Sequence, residues 1–204
     1  WFADIVENGR SIIVDEASLS RWAFLPANLL VVGWLSRPLS GVSIYLVGAS
    51  FSVLMTLLAL TLWTSDTLKD FAPKSLWGWA LFFFAPGAFF FATFHTEALF
   101  LFASMISVLG LARRQVAWSM LGILLAVWTR NQGVILALAV GYAFFVSQQR
   151  RQAAAVIAAA AVGLLGLAFY ANVFAGTPFA FYRAQSQWPH VTNVQQNLGT
   201  LFML

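Results

Sequence analysis

His95, Thr96 and Glu97 stand together inside residues 89–102, FFFATFHTEALFLF, a run otherwise almost wholly apolar. A polar trio in so apolar a run has to reach water, a partner or a substrate, and the functional reading has Glu97 facing a cavity in the outer half of a membrane. Ionisable groups inside apolar segments are costly to hold in lipid, and they mark sites and pathways. A plainer reading stands beside this one. Glu97 begins a helix, where a carboxylate complements the macrodipole and caps free N–H groups. His95 titrates near neutral pH in water, and it also suits a hydrogen-bonded turn.

Arg130, in Thr129-Arg130-Asn131-Gln132, is the second candidate. A helix from Val116 to Arg130 rises only about 22 Å. That is less than a hydrocarbon core of roughly 30 Å, so the guanidinium sits below the outer surface. Snorkelling to headgroups accounts for it, as does a bidentate grip on a lipid phosphate. The third candidate is residues 179–188, FAFYRAQSQW, with Arg183, Gln185 and Trp188. Trp and Tyr favour headgroups, which makes this an interfacial belt. It fits a sugar platform equally, with Trp188 on a ring face and Gln185 on hydroxyls. The only histidines are His95 and His190, there is no cysteine, and no ligand spacing appears, so no metal site or disulfide framework is read.

The elements that must position these residues are membrane helices. The 204 residues are 61% hydrophobic and 9% charged, with a mean hydropathy of +0.81, whereas soluble domains are about a quarter charged. The fold class expected is all-α, a polytopic bundle forming one transmembrane domain. Residues 1–22 read as a polar external loop with room for one short amphipathic helix. Residues 23–36 are too short to cross comfortably, so residues 1–40 hold the loop and a re-entrant or in-plane segment. The membrane helices fall within residues 41–175. They comprise Gly41 to Trp63, a hairpin from Leu76 to Ala112 with His95-Thr96-Glu97 at its turn, Val116 to Trp128, Gly133 to Val146, and Ala153 to Ala175. Residues 176–197 read as a folded external loop and 198–204 as the start of a further helix. Both ends read as interior to a longer protein.

The basic residues are scattered, so a net charge of +4 points to topology and away from nucleic acid. Lys69 with Lys74, Arg113-Arg114 and Arg150-Arg151 all fall on one side when assigned to the cytoplasm by the positive-inside rule. Residues 1–22, His95 to Glu97, the surroundings of Arg130 and residues 176–197 then share the opposite, external face.

The motifs carry a resemblance. Residues 84–100, FAPGAFFFATFHTEALF, resemble the "NPxxxFFxxxYTESLF" pattern of PIG-V-type mannosyltransferases. Residues 1–9, WFADIVENG, are similar to that family's "WYxxIAxxGY", and Ala23-Phe-Leu-Pro26 to its "AFFPLYP". Residues 129–133, TRNQG, resemble "TRxxG", and residues 176–185 with Trp188 resemble "GDPLAFxxAQxxW". The order is collinear and covers nearly the whole chain. There are departures: His95 stands for Tyr, Ala98 for Ser, Thr177 for Asp, and Arg10 for Tyr.

The resemblance implies a GT-C-type membrane glycosyltransferase. Such an enzyme takes a sugar, here mannose, from a polyprenyl-phosphate donor and passes it with inversion to a lipid-linked or glycan acceptor outside the cytoplasm. It implies Glu97 as an orienting or auxiliary base, with Arg130 and Arg183 at the donor phosphate. His95, Thr96, Asn131, Gln185 and Trp188 would line the substrate. The family's main aspartate precedes the tryptophan matched by Trp1 and so falls outside this chain. Asp4 lies near it, at a variable family position. No particular cofactor is assigned, and a divalent cation stays open. A prokaryotic plasma membrane is expected because the loops are short, or the endoplasmic reticulum in a eukaryote. Two rival classes share the cavity: a transporter for lipid-linked sugars, and an inactive subunit of the same fold.

Overall fold

The computed structural model describes residues 3, 5, 6, 22–39 and 41–186, with the side chains of residues 185 and 186 outside that description. Asp4, Trp188 and His190 therefore lie outside the described residues, as does most of the segment read as an N-terminal loop. The described residues form helices and turns, and no strand occurs among them.

Helix α1 runs Pro26–Ser36, with proline in its first turn, where its missing N–H has no helical partner to lose. Helix α2 spans Ile44–Trp63. A 3-10 turn at Lys69–Phe71 leads to α3, Leu76–Phe84, which Ser75 caps by accepting from the Gly78 N–H at 3.1 Å. A second 3-10 turn, Ala88–Phe91, precedes α4, Glu97–Ala112. Then come α5, Val116–Thr129; α6, Gln132–Val146; α7, Arg150–Ala175; and a short α8, Ala180–Ser186.

Helices α2 and α7, of 20 and 26 residues, are long and apolar enough to cross a membrane. Their outward faces are apolar too. Leu46, Leu54 and Leu57 on α2, and Leu165, Phe169 and Val173 on α7, are exposed. A helix that is apolar all round belongs in a core or in lipid. Only 39% and 33% of the most apolar windows of α2 and α7 are buried, which does not suit the core helices of a water-soluble domain. Helices α1, α4, α5 and α6 are shorter apolar segments.

Turns of two or three residues join α4, α5, α6 and α7, and each packs against the next, so the chain reverses direction at every turn. Small residues bring the backbones together. A Cβ on Gly110 would lie 2.4 Å from the Ser119 nitrogen, and one on Gly122 would lie 2.6 Å from both the Ala103 carbonyl oxygen and the Ser107 nitrogen. Along the same seam Ser119 Oγ donates to the Ser107 carbonyl at 3.0 Å, and Ser107 Oγ to the Ser119 carbonyl at 3.4 Å. Between α5 and α7, Trp128 Nε1 donates to the Gly163 carbonyl at 2.9 Å.

The alternation separates two ends. Arg113 Nε donates to Thr67 Oγ1 at 3.2 Å, so the lysine-bearing 64–75 loop and the Arg113-Arg114 turn share one end. The α6–α7 turn before Arg150 lies at that end by the same alternation. The turns before Glu97 and around Arg130 lie at the other.

Two expectations need correcting. The stretch from Leu76 towards the turn is not one limb of a hairpin: α3 stops at Phe84, and Ala85 is extended (φ −58°, ψ 145°). Pro86 sterically drives the residue before it out of the helical region, a break that hydropathy does not register. The segment beginning at residue 176 is also not all loop. Gly176 ends α7 in the left-handed conformation (φ 68°) that glycine adopts without penalty, and α8 follows.

Candidate functional site

The turn from Phe91 to Thr96 is pinned from both sides. On α2, Gly48, Ser52 and Thr56 recur every four residues and so share one helical face. Phe94 is buried against Gly48, and Thr56 Oγ1 donates to the Phe91 carbonyl at 3.0 Å. From α1, the fully buried Asn28 donates through Nδ2 to the His95 carbonyl at 3.0 Å. Within the turn, the Thr93 hydroxyl shares a 2.9 Å hydrogen bond with His95 Nδ1, and the Phe90 ring lies 4.6 Å from the imidazole. Burial pushes His95 below its ordinary value of 6.5; Glu97 opposes this and Arg130 adds to it. The imidazole is therefore neutral at pH 7.

Glu97 is the first residue of α4, where a carboxylate faces the positive end of the helix dipole. Thr96 precedes it without capping the helix through its side chain. Its hydroxyl instead accepts from Arg130 Nη1 at 3.3 Å. Arg130 follows α5 in extended conformation (φ −151°, ψ 151°), which ends the helix and turns the chain into α6. Its Nη1 also donates to Glu97 Oε1, forming an ion pair between residues 33 apart in sequence. Its Nε donates to Gln132 Oε1 at 3.2 Å.

The ion pair is partly shielded, with side-chain exposures of 30% for Arg130 and 26% for Glu97. Its worth falls between the small value of surface pairs and the larger cost of breaking buried ones. The satisfaction is uneven. Glu97 Oε2 is buried without a hydrogen-bond partner among the described residues, and so are Asn28 Oδ1 and Ser52 Oγ. Buried polar atoms are nearly always paired, so these three are unsatisfied groups on the elements that hold this turn.

His95, Thr96, Glu97 and Arg130 thus come together at one end of the bundle. Asn131 is exposed beside Arg130 in the same turn. Arg183 is exposed on α8, whose Ala180 and Ala184 are buried in a cluster with Trp22, Ala171 and Ala175. Gln185 has its backbone in α8, with its side chain outside the described residues. Residues missed in the sequence are Asn28, Thr93, Gln132 and the Gly48-Ser52-Thr56 stripe. Asn28 left a signal, a lone amide in the apolar segment AFLPANLLVVGWLS. The stripe left another in its four-residue period.

No family model, curated protein or solved structure matches the chain. The likeness to PIG-V-type mannosyltransferases rests on the motif residues alone.

Proposed function

We propose that this chain forms a multi-pass membrane domain of a GT-C-like glycosyltransferase. It moves a sugar, mannose by motif resemblance, from a polyprenyl-phosphate donor to a lipid-linked or glycan hydroxyl on the extracytoplasmic side. The membrane is a prokaryotic plasma membrane or, in a eukaryote, the endoplasmic reticulum. One observation carries the reading: a carboxylate with one oxygen on an arginine and the other buried without a partner among the described residues, at one end of an apolar bundle. A carboxylate oxygen seeking a donor suits an acceptor hydroxyl, and a guanidinium suits a phosphate. Support also comes from the collinear motifs and from the separation of the Arg130 turn from the end carrying Lys69, Lys74 and Arg113.

In the proposed reaction the acceptor oxygen attacks the anomeric carbon as its proton passes to a carboxylate. Glu97 serves as that base or orients the hydroxyl for another. The bond from the anomeric carbon to the phosphate oxygen breaks, and polyprenyl phosphate leaves with the electron pair. Its charge is met by Arg130, with Arg183 as a second cation. His95, Thr96, Asn131, Gln185 and Trp188 are proposed to contact the sugars, and Asp4 is kept as a secondary catalytic candidate.

The test is transfer by the protein in lipid nanodiscs, using labelled polyprenyl-phosphate mannose and scoring both product and slow donor hydrolysis. Turnover in wild type that is lost in Arg130→Ala supports the transferase. Absence of turnover with several donors, despite donor binding that needs Arg130, supports a transporter of lipid-linked sugars instead.

A further inference from the structure

Arg130 meets Glu97 through one nitrogen only. Nη1 serves both Thr96 Oγ1 and Glu97 Oε1, Nε serves Gln132, and Nη2 has no partner among the described residues. Glu97 is no better satisfied, since Oε2 is buried and has no partner among the described residues. A guanidinium and a carboxylate that are free to choose form two parallel hydrogen bonds. This pair forms one, and both groups retain some exposure. The contact therefore occupies an anion site with a poorly matched tenant.

We propose that an incoming phosphate displaces Glu97 from Arg130, so that filling the phosphate site releases the carboxylate; this rests on the phosphate-binding role given to Arg130 above. A phosphate offers several oxygens and takes the Nη1–Nη2 fork that one carboxylate oxygen leaves half used. Arg130 stays neutralised through the exchange, and the charge that loses its cation is Glu97, which the acceptor hydroxyl then meets. Glu97 becomes available to an acceptor hydroxyl only once the anion is seated, which orders the two events. The opposing arrangement keeps Glu97 on Arg130 throughout, holding the guanidinium in position for the phosphate. The two differ in sign. If Glu97 competes with the ligand, removing its charge tightens phosphate binding; if it positions Arg130, removal weakens binding.

The experiment measures affinity for undecaprenyl phosphate in phosphatidylcholine nanodiscs, with inorganic phosphate in a parallel arm. Wild type is compared with Glu97→Gln, Glu97→Ala and Arg130→Ala, each checked for native melting. Competition by a partly shielded pair worth about 1.4 kcal/mol makes Glu97→Gln bind about tenfold tighter. Glu97→Ala should move the same way, and Arg130→Ala should lose binding. The same order with inorganic phosphate assigns recognition to the phosphate itself; the order with the polyprenyl form alone assigns it to a lipid-borne phosphate. Weaker or unchanged binding by Glu97→Gln, with binding still lost in Arg130→Ala, overturns the displacement and leaves the phosphate role standing. Undiminished binding by Arg130→Ala, or none by wild type and Glu97→Gln alike, removes the phosphate role and the displacement with it. Should Glu97→Gln not fold, Glu97→Asp, one methylene short of the contact, reads the same sign.

Discussion

Gly48→Ala tests how α2 holds the candidate site. The added methyl would lie 2.2 Å from Phe94 Cγ and 2.5 and 2.6 Å from its two Cδ atoms, where carbon atoms normally sit about 3.5–4.0 Å apart. Phe94 is buried and is neighbour to His95, so its ring must leave its rotamer or push the turn away from α2. Overpacking of this kind costs about 1–3 kcal/mol. Replacing a helical glycine by alanine returns up to about 1 kcal/mol in propensity. The net expected loss is about 1–2 kcal/mol, read as a lower thermal midpoint in detergent. Gly87→Ala is the control, because its methyl meets only Phe90 Cδ2, at 3.9 Å. Phe94→Ala alone should cost about 3–5 kcal/mol. The double variant should melt no lower than Phe94→Ala, because the clash has lost its partner and the new methyl fills part of the void. That non-additivity is the signature of contact. A Gly48→Ala protein melting at or above wild type would refute the packing of Phe94 on α2, and with it the account of how the turn is held.

Other outcomes follow from the same structure. Gly122→Ala should lower the melting point by the equivalent of about 2–3 kcal/mol, because its methyl meets backbone atoms of Ala103 and Ser107 at 2.6 Å that cannot swing aside; an unchanged melt would contradict the close α4–α5 seam. The chain lacks cysteine, so single cysteines report sidedness cleanly. In intact cells a membrane-impermeant maleimide should label Ala92→Cys, beside the candidate site, and label Ser147→Cys only after lysis; the reverse pattern would invert the proposed orientation. Burial holds His95 below 6.5, so below that pH the unfolded chain binds more protons than the folded one. Stability should be full above about pH 6.5 and fall as the pH drops towards the depressed folded value. His95→Asn should flatten that part of the profile, and parallel melting curves against pH would dismiss the effect.

Helices were legible where apolar runs end in polar turns. The pattern predicts a helix over Val116 to Trp128, and Val116–Thr129 is observed; it predicts one over Gly133 to Val146, and Gln132–Val146 is observed. The break after Phe84 was not legible, because Pro86 acts through backbone sterics while the run stays apolar. Helix α8 was hidden because its mixed aromatic and polar composition reads as loop. In the sequence Glu97 and Arg130 stand out separately, Glu97 in a polar trio within an apolar run and Arg130 at the end of a short apolar helix. Their pairing depends on the approach of two turns 33 residues apart, a tertiary fact that local pattern does not contain. Even so, isolated opposite charges in apolar segments tend to find each other, and that rule would have suggested the pair. Asn28 is a single amide in a short apolar segment, and its contact with the turn before Glu97 is a tertiary one that local pattern does not contain.

The most direct measurement is the sugar-transfer rate of Glu97→Gln against wild type in nanodiscs, with both proteins shown to melt alike. A carboxylate that takes or orients the acceptor proton contributes about 10²–10⁴-fold, so transfer should fall at least about 100-fold while donor binding persists. Transfer near the wild-type rate would show that Glu97 serves the fold through Arg130 and the start of α4, and would remove it from the chemistry.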